Sequence, residues 1–170
     1  MKKLLLLSIC TLFIFTSCKK NTSPTPESSI SASIDGVKET FNINATANRN
    51  YIEGTGNVLI IGGKETSESG SDIINIEVNS TAAITKGSYS IKTGVPEGFD
   101  PAIYVSYVQG LIFFYHAVNP ASSNLITITD ISSTNVQGTF NVALSGSLPS
   151  TAPVIINKVI TNGEFNIRIE

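Results

Sequence analysis

The sequence predicts an all-β fold, a single antiparallel β-sandwich of about ten strands, with an open β-barrel as the alternative. Three observations support it: short alternating apolar segments, turn residues between them, and no sustained helical periodicity. The segment 125–144 shows the pattern best, because two alternating stretches are joined by a turn-rich connection. Ile126 and Ile128 share one face of the first stretch, and Phe140 lies opposite Thr139 in the second. The inward positions predicted for the second stretch are Val136, Phe140, Val142 and Leu144.

The other predicted strands follow from the same alternation or from short apolar runs. They are 30–34, 37–45, 58–61, 73–78, 87–91, 154–160 and 164–169, with two more in 102–118 that meet at Gln109-Gly110. Asp35-Gly36 is a dipeptide that accepts positive φ, which predicts a tight hairpin. Loops are expected at 49–57, 62–71, 92–101 and 145–153. Only 79–86 could form a short helix, and its β-branched residues make that helix weak.

The first residues predict export rather than folded structure. Lys2 and Lys3 precede an apolar segment, Leu4 to Phe15, which is shorter than the ~20 residues needed to cross a bilayer. We therefore expect residues 1–17 to be a signal peptide. The sequence Phe15-Thr16-Ser17-Cys18 resembles a bacterial lipobox, which implies lipidation of Cys18. Residues 18–29 form a lipidated Ser/Pro tether, and 30–170 form the β-sandwich domain.

The net charge and the cysteine content argue against certain partners and sites. Without residues 1–17 the chain keeps nine Lys and Arg against thirteen Asp and Glu, a net charge of −4, so nucleic acid is not an expected partner. Cys10 leaves with the signal peptide and Cys18 is the expected lipidation site, so neither a disulfide nor a cysteine-based metal site is expected. Acyl chains at Cys18 would hold the protein at a membrane.

Short motifs along the chain resemble a family of Bacteroidetes cell-envelope lipoproteins with all-β domains of this length. The motifs are SASIDG, KGSYSI, ITITD, QGTFNV and ITNGEF, and the resemblance extends over residues 30–169. It implies an outer-membrane location. The family has no assigned activity, cofactor or catalytic residue, so the resemblance implies none here.

Candidate catalytic and metal-binding residues are sparse. His116 is the only histidine, and the predicted hairpin places it at the edge of an apolar face, where a structural role is the simpler interpretation. The pairs Glu97 with Asp100 and Glu65 with Glu68 each share one loop, as solvated charges do. No segment matches a calcium-binding loop, and we expect no metal, no cofactor and no enzymatic activity.

Three aromatic residues form the one candidate ligand patch, on the hairpin face opposite the aliphatic one. With Gln109-Gly110 as a two-residue turn, Tyr104 would lie directly opposite Tyr115, and Phe113 beside Ser106. Sheet packing is one interpretation of these residues. The other is an outward-facing apolar surface that contacts a glycan or a protein partner.

The leading functional hypothesis is therefore a lipid-anchored, non-catalytic binding or interaction module of the bacterial cell envelope. A small cell-envelope hydrolase is the alternative from a different class, and a structural or assembly lipoprotein is a further one. The single histidine and the scattered acidic residues favour the non-catalytic hypothesis.

Overall fold

A computed structural model describes residues 28–66, 68–90, 102–110, 112–116, 125–148 and 154–170. The described chain is all-β and antiparallel, which confirms the predicted fold class. The strands form one sheet that curves into a nearly barrel-like shape, consistent with the predicted sandwich and with its open-barrel alternative. The predicted signal peptide, Cys18 and the part of the predicted tether before Ser28 lie outside the described residues.

Eleven strands are present within the described ranges. They are β1 (Ser29–Ile34), β2 (Val37–Phe41), β3 (Ile43–Ile52), β4 (Gly56–Lys64), β5 (Ile73–Ser80), β6 (Gly87–Ser90), β7 (Ala102–Gln109), β8 (Ile112–His116), β9 (Leu125–Ile131), β10 (Asn135–Leu148) and β11 (Val154–Arg168).

The order of hydrogen-bonded strands is β2-β1-β11-β10-β8-β7-β5-β4-β3. Strand β10 also pairs with β9 along Val136–Asn141, and β9 pairs with β6. At the far edge, Ala47 of β3 forms a parallel bridge with Ile169, and the Glu170 N–H donates to the Ala47 carbonyl at 3.0 Å. These contacts join the last described residues to the edge strand β3, so the two ends of the sheet approach each other.

The connection between β2 and β3 requires this curvature. The two strands are separated by one residue, Asn42, although they are the two ends of the nine-strand path. Eight steps of ~4.8 Å would separate the edges of a flat sheet by ~38 Å, far more than a single residue can span. Asn44 has a φ of 51°, which places a local bend where the chain passes from one edge to the other.

Alternate residues of the strands fill the interior of the sheet. Both segments of 125–144 bury the predicted faces, whereas Thr139 and Asn141 are exposed, so their predicted orientation is confirmed. The largest fully buried side chains are Ile30, Phe41, Leu59, Ile61, Ile74, Ile76, Tyr107, Phe114, Ile126, Ile128, Phe140 and Leu144.

Strands β10 and β11 each contain a Gly-x-Phe sequence, and the two sequences interlock. Gly138 pairs with Phe165, and Phe140 pairs with Gly163. A Cβ added at Gly138 would lie 2.3 Å from Phe165 Cζ, and one at Gly163 would lie 2.6 Å from the Phe140 ring. Each glycine therefore gives room to the phenylalanine of the other strand, and the two ring centroids are 6.4 Å apart.

Several predicted boundaries are wrong. The expected strands 154–160 and 164–169 are one continuous strand, β11, and Asn162-Gly163 is not a hairpin turn. A β-bulge lies beside Gly163: Thr161 and Asn162 together lie opposite Asn141, and the Asn162 N–H donates to the Asn141 side chain at 3.0 Å. The chain can therefore stay in the sheet through a dipeptide that is typical of turns.

Other predicted loops are shorter than expected because polar strand residues were mistaken for loop. Strand β3 extends to Ile52, β4 extends to Lys64, and β10 extends to Leu148. The weak helix expected at 79–86 is absent there, since β5 continues to Ser80 and 81–86 are irregular. Asp35 and Gly36 have φ values of 50° and 86°, which confirms the tight hairpin between β1 and β2.

Candidate functional site

The predicted aromatic surface lies on the outer face of the sheet, away from the core. Tyr104 on β7 is 39% exposed and Phe113 on β8 is 54% exposed, whereas their neighbours Ile103, Val105 and Phe114 are buried. The outward orientation predicted for Tyr104 and Phe113 is therefore confirmed. We call these two residues the aromatic patch.

The predicted direct opposition of Tyr104 and Tyr115 is wrong. Gln109 pairs with Ile112, and Ser106 pairs with Tyr115, so the register is shifted by two residues from the expected one. Gly110 supports the observed turn with a φ of 60°. Because the shift is an even number of residues, it changes the partners but not the faces. The Tyr115 side chain lies outside the described residues.

A shallow trough of about 200 Å³ crosses the same outer face beside the patch. Its polar lining consists of three asparagines and a threonine, with one lysine. We call it the asparagine trough; its lining residues are Asn44, Thr46, Asn48, Ile60, Gly62, Gly63, Lys64, Ile73 and Asn75.

Gly62 shapes this trough because it leaves room for a neighbouring amide. It pairs with Asn75 on β5, and a Cβ added at Gly62 would lie 2.6 Å from Asn75 Oδ1. Any larger residue at position 62 would therefore displace the amide or fill the trough. Asn75 itself is exposed, so its amide is available at the surface.

The asparagine trough and the aromatic patch form one continuous surface through the pairing of adjacent strands. Asn75 pairs with Gly62 on one side and with Ser106 on the other. In the adjacent row, Glu77 pairs with Ile60 and with Tyr104. The Glu77 row runs across β4, β5 and β7 and ends at Tyr104 of the patch. A third row leads to Phe113, because Lys64 and Ile73 of the trough pair with each other, Ile73 pairs with Val108, and Val108 pairs with Phe113.

This surface combines two kinds of recognition chemistry. Asparagine side chains both donate and accept hydrogen bonds, and a tyrosine ring supplies apolar area with a polar tip. Among the described residues that line the trough, only Lys64, at the end of β4, is charged. Glu77, between the trough and the patch, accepts a hydrogen bond from Asn79 Nδ2 at 2.8 Å. The arrangement suits a ligand with hydroxyl groups and an apolar face.

The sequence interpretation missed the trough because it placed 62–71 in a loop and assigned 46–48 to no strand. A usable signal was present in 44–48, where Asn44, Thr46 and Asn48 alternate with two alanines. Those alanines are buried and the polar residues line the outer surface, as period-two alternation predicts. Gly62 gave no such signal, because its role depends on a residue of the next strand.

Of the other candidate residues from the sequence, the two that the structure describes, Glu65 and Glu68, do not line this surface. Glu65 and Glu68 are exposed in the β4–β5 loop, and the Glu68 carbonyl accepts from the Ser71 N–H at 3.3 Å. Glu97, Asp100 and the His116 side chain lie outside the described residues. Within the described ranges, no three His, Cys, Asp or Glu side chains are grouped so that they could hold a metal ion.

The part that the structure describes contains no helix with the length and apolar character required to cross a bilayer. Comparison with protein-family models, with curated proteins and with solved structures finds no match to this chain.

Proposed function

We propose that this protein is a lipid-anchored, non-catalytic binding module of the bacterial cell envelope, and that its outer face binds a neutral glycan. The observation that carries the proposal is the continuity of the aromatic patch with the asparagine trough. Rows of paired residues connect Tyr104 to Ile60 and Phe113 to Lys64, so one ligand could contact both parts.

A glycan is favoured over a purely apolar partner because the surface is divided between aromatic and amide groups. Sugar rings present C–H faces that pack on aromatic rings, and hydroxyls that exchange hydrogen bonds with amides. An apolar protein partner would bury the trough amides without replacing their hydrogen bonds to water, which costs free energy. Among the described residues the lining carries one charge, that of Lys64, and Glu77, which pairs with Ile60 of the lining, carries the opposite charge. This balance favours a ligand of little net charge.

The location rests on the N-terminal sequence and on the resemblance to Bacteroidetes lipoproteins. The basic residues, the short apolar segment and the lipobox-like FTSC sequence support an anchor at Cys18. The outer membrane is the proposed location.

The binding proposal predicts that removal of the aromatic surface abolishes glycan retention while the fold persists. The variant carries Tyr104→Ser together with Phe113→Ser, and the assay is retardation in gels that contain starch, a β-1,3-glucan, xylan or pectate. We expect the parent to be retarded by at least one neutral polysaccharide and the variant by none. The melting temperature should change by no more than a few degrees, because both side chains are partly exposed.

Tyr51→Ser is the matched control, since Tyr51 is an exposed tyrosine on β3 that does not line the trough. This control should bind as the parent does. Asn48→Ala tests the polar half of the surface and should weaken retention without loss of stability. Absence of retention of the parent on every polysaccharide, or equal retention of parent and double variant, would contradict the proposal.

The anchoring proposal has a separate test. Replacement of Cys18 by Ala removes the only sulfur that could carry the lipid after cleavage, so the protein should move from the detergent phase to the aqueous phase in detergent partitioning. Replacement of the neighbouring Ser17 by Ala, which keeps a small residue before the cysteine, should not change the partitioning. Equal partitioning of Cys18→Ala and the parent would show that the anchor lies elsewhere.

A further inference from the structure

A second polar cluster lies on the inner side of the sheet, opposite the outer face. Tyr107 of β7 is fully buried, and its ring packs between Phe41 and Phe114 at centroid distances of 6.3 and 5.8 Å. The hydroxyl of Tyr107 emerges from this aromatic packing toward two carboxylates. One is Glu39 of the edge strand β2, at 3.3 Å, and the other is Asp72, which precedes β5 and lies closer.

When both carboxylates are ionised, Tyr107 is the only one of the three side chains that carries a proton to donate. A phenol has one proton, and the Tyr107 hydroxyl donates it to Asp72, the nearer carboxylate. The Tyr107 oxygen then faces Glu39 Oε2 with lone pairs only. An ionised Glu39 would place a negative charge against that oxygen, whereas a neutral Glu39 can donate its own proton to it.

We propose that Glu39, Tyr107 and Asp72 form a proton-binding site, in which a neutral Glu39 donates to Tyr107, and Tyr107 donates to Asp72, so that one bound proton connects β2 to β7 and β5 across the interior of the sheet. The edge strand β2 contains only five residues and pairs only with β1 among the described strands. The contact of Glu39 with Tyr107 therefore gives β2 a second attachment, in addition to its pairing with β1.

The charged groups around Glu39 favour the bound proton. Partial burial, and the nearby carboxylates of Asp72 and Glu65, raise the pKa of Glu39 above its ordinary value. A hydrogen bond donated by Tyr107 would lower this pKa, and so does Lys158 of β11, whose ammonium group is paired with Asp35 at 3.0 Å. The two effects oppose the rise only in part. Burial and the carboxylates of Asp72 and Glu39 raise the pKa of Tyr107 as well, so its hydroxyl remains a donor.

The sign of the pH dependence follows from linkage. Glu39 has a higher pKa in the folded than in the unfolded protein. Its contribution to the free energy of unfolding is therefore fully present below the ordinary glutamate pKa of ~4.3. That contribution is lost as the pH rises through the raised pKa of the folded state. Each pKa unit by which the folded-state value exceeds the unfolded-state value corresponds to a factor of about ten in the folding equilibrium constant. The edge strand β2 should therefore be held more firmly in acidic surroundings.

The test compares the full chain in detergent with Glu39→Gln, which keeps the shape and donor of the neutral acid. Chemical denaturation between pH 4.5 and pH 8.5 should show the parent losing stability relative to Glu39→Gln as the pH rises. Amide hydrogen exchange at pH 8 should be slower in β2 of Glu39→Gln than in β2 of the parent. Glu164→Gln, at an exposed position of β11, is the control and should follow the parent.

A second variant and a direct titration keep the result independent of one substitution. Glu65→Gln removes a charge from an exposed loop and should reduce the pH-linked loss of stability in part. Carbon-13 titration should give Glu39 a pKa above the ordinary glutamate value of ~4.3. Equal pH dependence in the parent and Glu39→Gln, or a Glu39 that titrates at the ordinary value, would overturn the proposal.

Discussion

Phe140→Ala should reduce the free energy of unfolding by ~3 to 5 kcal/mol, the range typical of a buried phenylalanine truncated to alanine. Phe140 is almost completely buried on β10, and its ring lies against Phe165 and over Gly163. Removal of the ring leaves a cavity at the glycine, where no Cβ is available to fill it. Chemical denaturation monitored by circular dichroism measures the loss.

The neighbouring residue provides the control for this substitution. Thr139 is exposed on the opposite face of the same strand, so Thr139→Ala should change the free energy of unfolding by no more than ~0.5 kcal/mol. Comparable losses at the two positions would mean that the assigned inward face of β10 is incorrect.

Gly138→Ala should destabilise the protein by ~1 to 3 kcal/mol, although the substitution adds only one methyl group. The added Cβ would lie 2.3 Å from the Thr127 carbonyl oxygen and 2.3 Å from Phe165 Cζ. The aromatic ring could rotate, but the carbonyl belongs to the backbone of the paired strand β9. Relief of the contact therefore requires separation of β9 and β10. Denaturant titration measures the cost.

Two further variants test whether the close approach is the cause. Gln137→Ala changes the adjacent, partly exposed residue and should have an effect of at most ~0.5 kcal/mol. Phe165→Leu combined with Gly138→Ala should cost less than the sum of the two single changes, because the smaller side chain vacates part of the space. A Gly138→Ala protein as stable as the parent would show that the strands separate at no cost.

Local alternation was sufficient to predict the strands that bury one face. The segment 125–144 was correctly oriented, and Tyr104 and Phe113 were correctly placed on the outer face. The register of the β7–β8 hairpin was missed because Gln109-Gly110 and the next dipeptide both permit a turn. The observed register keeps each residue on its predicted face but pairs Tyr115 with Ser106 instead of Tyr104.

Features formed by residues distant in the sequence could not be predicted in the same way. Nothing near Glu39 in the chain indicates that it will meet Tyr107, 68 residues later. The asparagine trough likewise depends on Gly62 lying beside Asn75. The bulge beside Gly163 depends on β10, whose Asn141 side chain satisfies the extra N–H of Asn162. In each case the decisive partner is supplied by another strand.

The pairing of the first strand with the last affects the order in which the chain can fold. Ser29 of β1 lies opposite Asn166 of β11, so β1 lacks one of its two neighbours until the end of the chain is available. Contacts between residues so far apart in sequence make folding slow, because a long loop must close before they form. The hairpins of the middle of the chain can form earlier, but the ring of strands cannot close without β11. A chain exported from its N-terminus would therefore complete its fold only after the last residues had crossed the membrane.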